Sequence, residues 1–354
     1  MKSKPKSTFV LAVAAFLMLM PATSIFGFQD VLDTPAVQSQ LAARTLLNGA
    51  AVAGQRLVCV GWKGDIVYSD DLGKSWRQAG VPVSSDLVAV FFPSPMQGWA
   101  VGHDGVVLHS SDAGTTWVKQ FDGAAAARTM VEYYERHPLP ASAASVRKEI
   151  DSFAEQGPDK PFLDVWFEND DTGFVVGAYN IIFRTADGGK SWEPWFDRTE
   201  NPGFLNLYSI RPAGKDLYIA GEQGIVLKLD REKGRFRSVK TPYAGSFFGV
   251  TGNSKAVIVY GLRGNAFVSS DAGLNWRKIE TGVPTALTSA AIMEDGNILL
   301  ASVGGQIIES SDSGLNFKPV DVQPRVISAF GLAAFGKDKI AVAGFQGAEV
   351  RNVK

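Results

Sequence analysis

The pattern Ser-x-Asp-x-Gly-x-x-aromatic constrains this chain more than any other feature, because it returns at nearly fixed spacing. It occurs at Ser69/Asp71/Gly73/Trp76, Ser110/Asp112/Gly114/Trp117 and Thr185/Asp187/Gly189/Trp192. Two further copies are Ser269/Asp271/Gly273/Trp276 and Ser310/Asp312/Gly314/Phe317, and a decayed one sits at Asp230, Gly234 and Phe236. The aspartates step along the chain by 41, 75, 43, 41 and 41 residues. A regular period of about 40 residues is the signature of a repeat architecture. The single long step marks an insertion.

Upstream of each octet lies a second recurring piece, such as "AVGHDGVVLHS" and "VYGLRGNAFVS"; a seventh copy, "VAGFQGAEVRN", ends the chain. The second unit shows four β-prone runs, at 87–93, 99–102, 106–110 and 117–120, separated by turn residues. Short runs punctuated in this way are antiparallel strands rather than helices. Four strands per unit in seven units predict an all-β fold, a seven-bladed β-propeller of four-stranded antiparallel blades spanning 28–354. The last unit lacks an octet and a final strand. The segment near residues 30–33 precedes the first unit and is expected to supply that strand, because an unpaired edge is a liability.

The octet has a structural task in this reading. Its Ser and Asp oxygens can accept backbone N–H bonds inside the turn between strands three and four. Its Gly permits positive φ. Its aromatic residue can wedge between neighbouring blades.

The extra residues fall at about 122–160, between the second and third units. Ala124–Glu135 and Ala141–Ala154 are rich in helix formers around a Pro138-x-Pro140 break, which predicts two short helices. In a blade, the connection to the next blade and the turn between strands two and three share one face. The insertion should therefore overhang a ring of turns carrying Trp62, Lys63, His103, Asp104, Tyr179, Asn180, Glu222, Arg263 and Phe345. That face, with Arg128, Tyr133, Tyr134 and Arg136 of the insertion, is the candidate partner-binding surface.

The N-terminus carries Lys2, Lys4 and Lys6, then 12 apolar residues from Phe9 to Met20, then small residues. This reads as a cleavable signal peptide over 1–27 and predicts a periplasmic or extracellular protein. Removal leaves 32 basic against 36 acidic residues, net −4, and no basic stripe, so nucleic acid is not an expected partner.

Three His and one Cys offer no metal spacing, and no Gly-rich loop precedes a helix, so no cofactor or metal is expected. Cys59 lies in an apolar run and reads as a buried hydrophobe. The octet also occurs in sialidases, which keeps an exported glycosidase or a carbohydrate-binding propeller as the alternative. Such an enzyme needs paired carboxyl groups or a Tyr nucleophile with converging arginines. The turn ring offers only Asp104, Glu222 and Arg263.

The full blade pattern "AVGHDGVVLHSSDAGTTW", the exported N-terminus and a helical insertion after the second blade resemble the photosystem II assembly/stability factor family of cyanobacteria and chloroplasts. The resemblance runs from about residue 45 to 352. It implies a lumenal or periplasmic propeller that binds a membrane protein or its precursor during assembly, without catalysis. The photosynthetic members carry an arginine-rich patch near their insertion. Here the span 122–160 holds five Lys/Arg against seven Asp/Glu, which implies a different client.

Overall fold

Residues 29–353, apart from Pro158, are described by a computed structural model. The expected signal peptide lies outside the described residues. The chain is mostly β. The described strands assemble into seven four-stranded sheets, every strand pairing antiparallel with its neighbours. The first sheet takes Leu47–Ala53, Arg56–Gly61, Ile66–Ser69 and Arg77–Gln78 in sequence order, and the next five repeat that order. The second strand of each sheet is buried along nearly its whole length, as a central strand covered on both faces must be.

The cores lie between sheets. Val58, Val60 and Ile66 of the first sheet pack with Val90, Ala100 and Leu108 of the second. Comparable apolar layers join the later neighbours. The first and last sheets also meet. Leu57 packs with Ala333 and Ala341, and a Cβ on Gly331 would lie 2.6 Å from the Ala50 nitrogen. Packed sheets related in this way form a β-propeller, with each first strand facing the axis.

The seventh sheet departs from expectation. Its outer strand is Val322–Gln323, which pairs with Asn352 and Val353 of the strand Gly347–Val353. Residues 31–33 form a turn and supply no strand. Leu32 is buried against the first and second sheets, and the Val31 carbonyl accepts the Ser84 N–H at 2.8 Å. The seventh edge is thus covered by the connection entering its own sheet, at a far smaller loop-closure cost than a strand from the other end of the chain.

Two helices, α1 (Gly123–Arg136) and α2 (Ala144–Gln156), lie between the second and third sheets. The Asp122 carboxylate caps α1 by accepting the Ala125 N–H at 2.9 Å. Ala126, Met130 and Tyr134 recur every four residues and form the buried stripe of α1. They pack with Ile150 and Phe153 of α2 and with Phe162, Phe183 and Trp192 of the third sheet. No helix among the described residues is long and apolar enough to cross a membrane.

Candidate functional site

The octets are structural corners. In each of the five, the N–H of the glycine (Gly73, Gly114, Gly189, Gly273 or Gly314) donates to the Ser or Thr oxygen at 2.8 Å. That hydroxyl in turn donates to the Asp carboxylate at 2.7–2.9 Å. The second carboxylate oxygen is held by a residue that the sequence pattern leaves as x. Ser75, Thr116, Ser191, Asn275 and Asn316, each just before the aromatic, donate a side-chain hydrogen bond at 2.6–2.8 Å. The signal was present, since all five are small and polar at one position. These bonds hold Asp71 and Asp271 at about 2, Ser75 and Asn275 contributing most. Asp312 also sits at about 2: burial opposes the ionised form, and the bonds from Asn316 outweigh it.

The octet glycines take positive φ as expected, from 80° at Gly189 to 94° at Gly273. Positive φ is not confined to them. The residue before each one, Leu72, Ala113, Gly188, Ala272 or Ser313, is left-handed too, at 58–71°. The corner therefore needs two successive left-handed residues, where the sequence pattern points to one.

Each octet glycine also faces the preceding sheet, a second demand that the turn reading omits. A Cβ on Gly73 would lie 2.2 Å from Val350, and one on Gly314 2.2 Å from Ile258. On Gly273 it would lie 2.7 Å from Val239. Gly189 meets a polar neighbour instead: its Cβ would lie 2.1 Å from Oε1 of Gln120, the residue that also bonds the Gly188 carbonyl. The aromatic then covers the seam: Trp117 and Trp192 are buried, while Trp76, Trp276 and Phe317 are partly so.

The turns between strands two and three form a ring on the insertion side. A Cβ on Gly105 of one such turn would lie 2.7 Å from Gly123 at the start of α1. Five turns share a conformation in which the middle residue is left-handed and not glycine: Lys63, Asp104, Tyr179, Gln223 and Arg263, at φ of 52–56°. The next sheet fixes the tips. Lys63 N–H donates to Asp86 at 2.7 Å, and Tyr179 N–H to Asn206 at 2.8 Å. Trp62, Lys63, His103, Tyr179, Arg263 and Phe345 are exposed. Phe345 rests edge-on against Phe330, with 4.8 Å between ring centroids.

Three expected surface residues have other tasks. Asn180 is buried; its amide donates to the Phe196 carbonyl and accepts from Thr199 and Asn201. Tyr134 is 1% exposed, and its hydroxyl donates to Asp197. Tyr133 is half-buried, bonded to Glu193 at 3.0 Å and to Arg198 at 2.8 Å. These tyrosines fasten α1 to the third sheet instead of facing a partner, because a buried hydroxyl needs a polar mate. Arg128 and Arg136 stay exposed, Arg136 pairing with Glu132.

The polar groups that a hydrolase would need are spread out. Asp104 accepts from Ser85 of its own sheet, and Glu222 accepts the Asn206 N–H at 3.2 Å. Arg263 sits on a separate turn. His109 bonds Gln97 and stacks on Trp99, and burial lowers its pKa. Burial pushes the Cys59 thiol up to about 12, which keeps it protonated. Among the described residues, no group of His, Cys, Asp and Glu could hold a metal.

The axial channel opens within this ring and encloses about 900 Å³. Its wall carries one guanidinium, Arg211, paired with buried Asp164 at 2.7 Å. Six of the seven first strands contain a β-bulge near the channel mouth, and the extra residues are Asn48, Val88, Leu163, Tyr208, Phe248 and Thr288. Bulges re-aim side chains, and all six line the channel.

Fold and corners define a β-propeller with octet-locked sheets. The family model described as "Photosynthesis system II assembly factor YCF48" matches residues 152–314. "Photosystem II stability/assembly factor HCF136, chloroplastic" of Arabidopsis thaliana is 21% identical over 309 residues, covering 80% of this chain and 70% of that protein. "Photosystem II assembly lipoprotein Ycf48" of Synechococcus sp. (strain CC9902) is 26% identical over 182 residues. That match spans about half of each chain, 50% of this one and 53% of the relative. A solved structure described as "YCF48 bound to D1 peptide" superposes with a TM-score of 0.62 at 14% identity, covering 92% of this chain and 99% of that one. The chain is thus similar in sequence to photosystem II assembly/stability factors.

Proposed function

We propose that the chain is an exported, non-catalytic binding platform that assists assembly or stability of a membrane protein complex. In this reading the seven sheets are the seven blades of one closed ring, and the signal peptide delivers it to the periplasmic side. The insertion-side face receives the client. The observation that carries the proposal is the ring of exposed tips, Trp62, Tyr179 and Phe345 among them, held by hydrogen bonds: the Lys63 and Tyr179 N–H groups to the next sheet, and the Phe345 N–H to Ser328 of its own. Rigid loops presenting aromatic side chains are what a recognition surface requires. The relatives named above are assembly factors, and one YCF48 structure holds a D1 peptide. Both support a client that is a membrane protein. The glycosidase alternative loses support, because Asp104, Glu222 and Arg263 stand on separate turns.

The test is complementation. Deleting the gene should lower one or more membrane complexes on native gels, and the wild-type chain should restore them. The Trp62→Ala/Tyr179→Ala/Phe345→Ala variant should fold and fail to restore them. Full rescue by that variant would remove this face from the function.

A further inference from the structure

The axial channel goes beyond that reading. It holds about 900 Å³, near the top of the ~300–1,000 Å³ range of small-molecule sites. Its collar is apolar where the bulges place Val88, Leu163, Tyr208 and Phe248. The two polar bulge residues are already used: Asn48 donates to the Leu87 carbonyl at 2.8 Å, and Thr288 to the Ala329 carbonyl.

Below the collar, Arg211 is the only Lys or Arg on the channel wall among the described residues. Its Nη1 makes every hydrogen bond it has, to Asp164 at 2.7 Å, Val165 O at 3.1 Å and Ile210 O at 2.7 Å. Nε and Nη2 have no partner among the described residues, and the side chain is 31% exposed. The Phe91 ring, 5.5 Å from the guanidinium carbon, helps to hold it in place. Asp164 is independently satisfied, accepting the Ile210 N–H at 2.8 Å and the Val165 N–H at 2.9 Å. The guanidinium is therefore fixed by one nitrogen while the edge made by Nε and Nη2 remains available. That edge has the fork geometry that suits a carboxylate. Asp86 and Asp164 on the same wall oppose more than one negative charge in a ligand. The apolar collar disfavours a ligand that is polar along its length.

We propose that the channel binds an apolar monocarboxylate of the fatty-acid class, its carboxylate on the Nε/Nη2 edge of Arg211 and its chain against the bulge collar. The contact is a charge-assisted pair in a partly desolvated site, a setting in which losing the charge weakens binding by about tenfold or more.

Calorimetric titration of the purified full-length chain with dodecanoate, below its micelle concentration, tests this. Dodecanol and dodecylamine serve as matched probes. Dodecanoate should bind saturably at one site. Dodecanol should bind about tenfold more weakly, and dodecylamine not at all. The neutral pair Asp164→Asn/Arg211→Gln avoids leaving a buried carboxylate unpaired; it should lose the preference for dodecanoate over dodecanol. Leu163→Trp fills the collar without touching the pair and should lose both ligands. Absence of saturable dodecanoate binding overturns the proposal. So does equal affinity for dodecanol, unchanged preference in the folded neutral pair, or unchanged binding by folded Leu163→Trp.

Discussion

At the scale of single residues, the octet turns a sequence repeat into a set of charged hydrogen-bond hubs. Asp71, Asp271 and Asp312 sit at about 2, and Asp112 and Asp187 are lowered as well, their hydrogen bonds outweighing burial. An unfolded Asp titrates near 3.9. The folded value is the lower one, so this stability is present above about pH 4 and is lost as pH falls toward about 2. Melting temperature should therefore be flat from neutral pH to about 4 and fall steeply below it. Asp271→Asn should flatten part of that fall, which thermal scans across the acid range would read directly. The hydroxyl is the second hub. Ser110 is buried and serves both Gly114 and Asp112. Ser110→Ala should cost about 1–3 kcal/mol in urea denaturation, because it strands a buried donor. The pattern Ser-x-Asp-x-Gly could be read as a turn from its letters. The partner of the second carboxylate oxygen could not, because Ser, Thr and Asn look unlike until one asks which of them can donate. Nor could the contacts of Gly189 and Gly273, since Gln120 and Val239 come from the sheet before.

At the scale of elements, legibility followed length. The insertion helices were readable because each has three or more turns of good helix formers. The face of α1 was ambiguous: Met130, Tyr133 and Tyr134 suit a partner as well as they suit the third sheet. The decision comes from Glu193, Asp197 and Arg198, some 60 residues further on, which no local pattern brings near. The outer strand of the seventh sheet failed for the opposite reason. Two residues, Val322 and Gln323, followed by Pro324, carry no strand signal of their own. The apolar pair at 31–32 looked better and was spent instead on the first two sheets. Met130 is fully buried among α2 and the third sheet. Met130→Ala should remove about 2–5 kcal/mol of packing. If the insertion opens locally, the loss should appear as faster amide exchange confined to 123–156, with exchange elsewhere little changed.

At the scale of the whole molecule, the ring stands or falls on one seam that the chain does not make by local succession. Six sheet-to-sheet contacts join neighbours in sequence; the seventh joins Gly331–Phe335 to Leu47–Ala53, at opposite ends of the described chain. Long-range closure of this kind costs loop entropy before any contact repays it, so the seam needs close packing. Gly331 supplies it, since a Cβ there would meet the Ala50 nitrogen at 2.6 Å and Gly49 Cα at 2.8 Å. These are backbone atoms and cannot rotate away. Gly331→Val should therefore push the first and seventh sheets apart and cost about 3 kcal/mol or more. Gly203→Ala, whose Cβ would meet side-chain atoms only at 3.5 Å and beyond, is the matched control and should be nearly neutral. If the seam governs cooperativity as well as stability, Gly331→Val should also broaden the urea transition, lowering the m-value as the ring unfolds in parts. A sharp, unshifted transition in Gly331→Val would show that the sheets hold together without this close contact, and that the frame around the channel and its face does not depend on the seam between the first and last sheets.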